Sequence, residues 1–155
     1  MEFEYDPDET RKRMAPGRIV AEGFLGSDER TVERIIAVDR LDMVRHGLDP
    51  AQVGKRLAGL TALALSRLGG EANLEGLIVS AVEARGLLPC PFGDEGLFPK
   101  AVIHAAAKDG GAVMEWSALS AHMAQMHGFF GGRGSFFRLS PGPLAKFLGL
   151  SGGVE

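Results

Sequence analysis

The stretch AVIHAAAKDGGAVMEW, Ala101–Trp116, decides between an all-helical chain and a mixed one. Two runs with apolar, branched or aromatic residues flank Asp109-Gly110-Gly111, and that turn chemistry predicts a β-hairpin. A lone hairpin is marginal in water, so a further strand is required. The nearest candidate is Leu74–Arg85. Its Leu74, Leu77, Ile78, Ala81 and Val82 fit helical spacing and its Ile-Val content also permits a strand. The hairpin's need for a partner tips the reading to strand. Between the two lies LLPCPFGDEGLFP, Leu87–Pro99, whose prolines and glycines predict a loop that continues neither regular element and is ordered if Phe92, Leu97 and Phe98 are buried.

Working outward toward the N-terminus, Asp49 followed by Pro50 is a cap plus a proline at the first helical position. Val53, Leu57, Leu60, Ala64 and Leu68 then recur at helical spacing before Gly69 and Gly70, which predicts a helix over 50–68. Before it, Ser27 as N-cap, the acids Asp28 and Glu29, and Gly47 as a stop predict a helix over 28–46. Its apolar residues form two sets, Val32, Ile35, Ile36 and Met43 against Val38, Leu41 and Val44. That distribution predicts cover on more than one face or a change of direction. The string RIVAEGFL, Arg18–Leu25, suits a short strand. Toward the C-terminus, Ser117 caps a helix to about His127, ended by Gly128, and Ser140 with Pro141 opens a last short helix to Leu148. The expected fold class is α+β: two long N-terminal helices packed with a small, mostly antiparallel sheet of three or more short strands, and a C-terminal helix. Residues 1–16 read as a mobile tail, 17–150 as a single globular domain and 151–155 as a mobile end.

Composition is consistent with one folded domain. The chain has 155 residues, 45% hydrophobic and 24% charged, enough for one ordinary core. Twenty acids against 17 bases leave a net charge of -3, so no overall positive field gathers nucleic acid. No apolar stretch approaches the roughly 20 residues of a membrane span, and no secretory leader is evident. With Cys90 as the only cysteine an internal disulfide is impossible, and a reducing, cytoplasmic setting is expected.

Three patterns could carry chemistry. The first is SAHMAQMHG, in which His122 and His127 have the spacing of the histidine half of a zinc site. With Cys90 they make three ligands, and His104 or Asp94 could supply a fourth. Helical geometry opposes this set, because residues five apart point about 140° from one another. The plainer reading is that His127 is a core-edge histidine bonded to backbone. The second is Cys90 between Pro89 and Pro91, a rigid setting for a nucleophile in an enzyme if a histidine base lay within reach. A buried, inert thiol is the commoner fate.

The third is GFFGGRGSFFR, Gly128–Arg138. Backbone N–H groups of Gly131, Gly132 and Gly134, with Arg133 and Arg138, could form an anion-binding nest. The plainer reading has the four phenylalanines fastening the loop to the core. The capped start of GLDPAQVGKRLAGL resembles the first helix of a helix-turn-helix, but the helix runs on where a reader helix should begin, so DNA reading is not indicated. The function expected on this basis is a small non-catalytic domain that binds a protein partner or an anionic small ligand through the 88–99 and 128–138 loops. A zinc-stabilised module built on Cys90, His104, His122 and His127 is the first alternative, and an enzyme using the cysteine or a histidine the second.

Overall fold

The hairpin expected at Ala101–Trp116 is present in the computed structural model, which describes residues 5–67 and 69–148. Along the chain the elements are α1 (Pro7–Arg13), α2 (Val32–Arg45), α3 (Pro50–Leu65), β1 (Ala72–Leu74), β2 (Leu77–Pro89), β3 (Leu97–Ala107), β4 (Val113–Ser117), α4 (Ala118–His127) and α5 (Pro141–Leu148). The four strands form an antiparallel meander in the order β1-β2-β3-β4. The fold is therefore α+β, as expected, with α1 in addition to the expected helices. Among the described residues, no helix is long and apolar enough to cross a membrane.

The sheet's core face carries Leu77, Val79 and Ala81 from β2 and Ala101, Ile103 and Ala105 from β3, all buried, at the period-two spacing of strands. Helix α3 covers this face with Val53, Leu57, Leu60 and Ala64. Trp116 is fully buried there and donates its indole N–H to Thr61 Oγ1 at 2.8 Å, while the Thr61 hydroxyl donates to Leu57 O at 2.7 Å, so no polar atom of the pair is stranded. A second cluster gathers Met14, Phe24, Val32, Ile35, Cys90, Phe92, Leu119, Met123 and Phe129. Helix α4 belongs to both, sending Ala121 and Ala124 to the first and Leu119 and Met123 to the second.

Several expectations are corrected. Residues 7–13 form α1, started by Asp6, whose carboxylate accepts the N–H groups of Asp8 and Glu9, and Met14 behind it is fully buried. The Arg18–Leu25 strand is instead a run of turns: Gly17 and Gly23 sit at φ of 82° and 70°, and Gly23 donates to Val20 O. Helix α2 starts at Val32 rather than Asp28, with Thr31 as its cap; it ends as expected, before Gly47 at φ 74°. Its second apolar set is not covered, since Val38, Leu41 and Val44 are 37%, 55% and 56% exposed.

Helix α3 ends at Leu65, and Leu68 lies outside the described residues, as do residues 1–4 and 149–155. The 87–99 loop is shorter than expected. Leu87, Leu88 and Pro89 pair with Pro99, Phe98 and Leu97 past an irregularity after Glu83, leaving 90–96 as the turn. A proline at a strand end has no ladder bond to lose.

Helices α3 and α4 approach so closely that a Cβ on Gly54 would lie 2.7 Å from Gln125 Cα and 2.9 Å from Ala124 O. Gly59, on the same helix, has open space around it. Substitution by alanine should therefore have opposite signs at the two positions. Urea unfolding is expected to show Gly59→Ala stabilising by about 0.5–1 kcal/mol and Gly54→Ala destabilising by about 1–3 kcal/mol.

Candidate metal centre

The turn between β2 and β3 begins at Cys90. Gly93 donates its N–H to Cys90 O at 2.9 Å, with Pro91 at the second position of the turn and Gly93 at φ 90°, where a side chain would be strained. This reversal brings the side chains of Cys90 and Asp94 together. Arg13 of α1 secures the turn from outside, donating from Nε to Pro91 O at 2.7 Å.

Helix α4 supplies two further groups. Its start is fixed by Ser117, whose hydroxyl accepts the Ser120 N–H, and its end by Gly128 in the left-handed region at φ 69°. Nε2 of His122 lies 2.7 Å and Nε2 of His127 2.6 Å from the same oxygen, Asp94 Oδ2. The angular objection to this pair fails because Asp94 sits between them. Each imidazole swings toward it, and His127 is the last helical residue. The expected backbone partner of His127 is thus replaced by a carboxylate. Ligand atoms of Cys90, Asp94, His122 and His127 all lie within 4.8 Å of one another.

An aromatic shell surrounds the cluster. Phe92 stacks on His127 with centroids 4.0 Å apart and planes 11° from parallel, and Phe98 lies over His122 at 4.1 Å. Tyr5 meets Phe92 edge-on at 4.8 Å. Phe92 is buried and Phe98 half-buried, as an ordered loop requires, whereas Leu97 is exposed. Burial pushes the Cys90 thiol up to about 11. Burial acts the same way on Asp94, but hydrogen bonds from His127 and His122 outweigh it and hold the carboxyl below its ordinary value. A nucleophilic cysteine needs exposure and a lowered pKa. Cys90, 2% exposed, has neither.

The remaining residues singled out in the sequence lie elsewhere. His104 is not part of the cluster: it stands on β3 opposite Glu115 of β4, with Nδ1 2.8 Å from the Glu115 carboxylate, as an exposed cross-strand pair. Arg138 is held by Asp39 through two bonds of 2.6 and 2.8 Å and by Gly131 O. In the glycine-rich loop an anion is already present, and it belongs to the chain. Asp28 Oδ2 accepts the Arg133 N–H at 2.9 Å and the Arg30 guanidinium at 2.6 Å. Gly131 and Gly134 take positive φ, and Gly132 packs against the Leu25 backbone, so these glycines serve a close loop-to-loop approach. Of the four phenylalanines, Phe129 and Phe130 are buried as expected, while Phe136 is 72% exposed.

Asp94 is the residue the sequence left as an alternative fourth ligand. Its signal is positional: four residues after Cys90, across a Pro-Phe-Gly turn that doubles the chain back. Comparison of the chain with protein-family models, curated proteins and solved structures finds no match.

The Asp28 pair gives a prediction with a worked sign. Hydrogen bonds from Arg30 hold the Asp28 carboxyl well below its ordinary value against the opposing effect of burial. The unfolded chain then binds this proton more readily than the folded one, so the contribution is full above the unfolded value of about 3.9 and fades as pH falls below it. Its side chain is 1% exposed. Asp28→Asn should cost about 2–3 kcal/mol at pH 7 in denaturant unfolding, and the difference from the wild type should shrink below about pH 4.

Proposed function

We propose that this chain is a small zinc-stapled binding module, with Cys90, Asp94, His122 and His127 as the ligands. The observation that carries the reading is the convergence of four donor atoms from two distant segments within 4.8 Å. Zinc bonds of about 2.0–2.3 Å place tetrahedral ligand atoms about 3.3–3.8 Å apart. The Asp94 contacts of 2.6 and 2.7 Å lie below that range and the 4.8 Å limit above it, so shifts of about 1 Å admit the ion.

The donor set also suits zinc chemically. Two imidazoles, one thiolate and one carboxylate mix nitrogen, sulfur and oxygen at borderline softness, and the two anions neutralise the charge of the ion. Four protein ligands complete the tetrahedron, which favours a structural over a catalytic ion. Phe92 and Phe98 orient the imidazoles and exclude water.

The ion's role is to hold the 90–96 turn against the end of α4 and, through Arg13 and Tyr5, to hold α1. The main core under α3 contains none of the four ligands, so the domain should survive metal loss, unlike a zinc finger. The 88–99 and 128–138 loops remain the proposed binding face. With Arg138 held by Asp39, and the Arg133 N–H by Asp28, its ligand need not be anionic.

Untagged protein is expected to carry stoichiometric zinc by elemental analysis. A strong chelator should lower the melting temperature by about 10 °C, the scale for a ligand at roughly a thousandfold its Kd, while far-ultraviolet circular dichroism stays native. Cys90→Ser and His122→Ala should lose the metal, and His104→Ala should keep it. Metal-free protein that takes up no added zinc, and whose melting is unmoved by chelator, would overturn the reading.

A further inference from the structure

A cavity of about 290 Å³ lies between the outer part of the β2–β3 hairpin, the 20–24 turns, the first turns of α4 and the 128–138 loop. Its walls include Phe24, Leu88, Leu119, Met123, Phe129 and Phe137. A cavity of about 150 Å³ with such a lining stays dry and admits a benzene ring. This one has almost twice that volume, at the lower end of ligand-pocket sizes. Phe136 belongs to the same lining and is 72% exposed, so a large aromatic ring stands in water at the mouth.

The few polar groups decide what class of molecule fits. Glu22 and Lys100 line the cavity, are both exposed and have opposite charge, so the mouth favours neither sign. Ser117, Ser120 and the half-buried Ser135 also line it, all uncharged; the Ser117 and Ser120 hydroxyls are 2.7 Å apart in a bond with each other, and Ser117 Oγ accepts the Ser120 N–H. A charge carried inside would find no counter-charge and would bear the cost of desolvation.

We infer that this cavity is a binding site for a small uncharged apolar molecule, of the size of two fused aromatic rings or a medium-length alkyl chain, with Phe136 folding onto it at the mouth. This goes beyond the zinc reading and does not require a bound metal, since apolar side chains form the walls. The two can therefore fail separately.

Naphthalene and n-decanol serve as probes, with decanoate and decylammonium as charged comparators, and binding to the protein as purified is followed by calorimetry and amide chemical shifts. The neutral probes should bind saturably and shift amides of the lining, and the charged ones should bind at least tenfold more weakly. Ala84 is exposed and lines the mouth. Ala84→Trp should weaken the neutral probes at least tenfold with melting unchanged. Phe136→Ala, at an exposed position, should weaken them severalfold and supplies the answer if the tryptophan disturbs the strand. The inference falls if no saturable binding of either neutral probe occurs, if the shifts lie away from the cavity, if neither variant weakens binding, or if a charged comparator binds as tightly as n-decanol.

Discussion

The fold depends on how closely α4 can lie against α3. Gly54 permits the contact, because a side chain there would enter the backbone at Ala124 and Gln125. That approach places Ala121 and Ala124 in the core beneath α3 and turns Leu119 and Met123 toward the second cluster. It also fixes where the end of α4 delivers His122 and His127. A wider spacing would loosen both clusters together, since interiors packed to crystal density do not absorb a lost methylene silently.

The second constraint is the turn at Cys90–Gly93, which aims Asp94 at that helix end. Pro91 and Gly93 impose the local conformation, and Arg13 ties it to α1. The glycine-rich loop shows the same economy: its nest-like N–H at Arg133 is satisfied by Asp28, and its guanidinium at Arg138 by Asp39. Both carboxylates are buried and both are paired, as buried charges must be.

Much of this was legible where local chemistry decides. The caps at Asp49, Ser117 and Ser140-Pro141, the stop glycines 47 and 128, and the Asp-Gly-Gly hairpin all act within a few residues, and those elements are found. The misreadings lie where a distant partner decides. Ser27 looks like a helix cap, but its N–H and hydroxyl both reach Arg133 O. Arg18–Leu25 has strand composition, yet Phe24 pairs with the Met14 and Gly132 backbones instead of a neighbouring strand. The histidine pair failed a helical-wheel test that treats side chains as spokes. Imidazoles are long enough to bend to a common acceptor, and only the tertiary position of Asp94 reveals that one exists.

The cluster and the cavity are built by adjacent residues. Leu88 lies two positions before Cys90, Met123 follows His122, and Phe129 comes two after His127. A group that fixed the four donors would thereby fix three of the cavity walls, which otherwise belong to the smaller of the two hydrophobic clusters. Small clusters lose rigidity first, and a site needs its supporting residues held to a fraction of an ångström. A metal held by the four proposed ligands would supply that rigidity without enlarging the core. On that proposal the four polar side chains and their aromatic shell stand beside the smaller hydrophobic cluster because that is where a staple has most to stiffen.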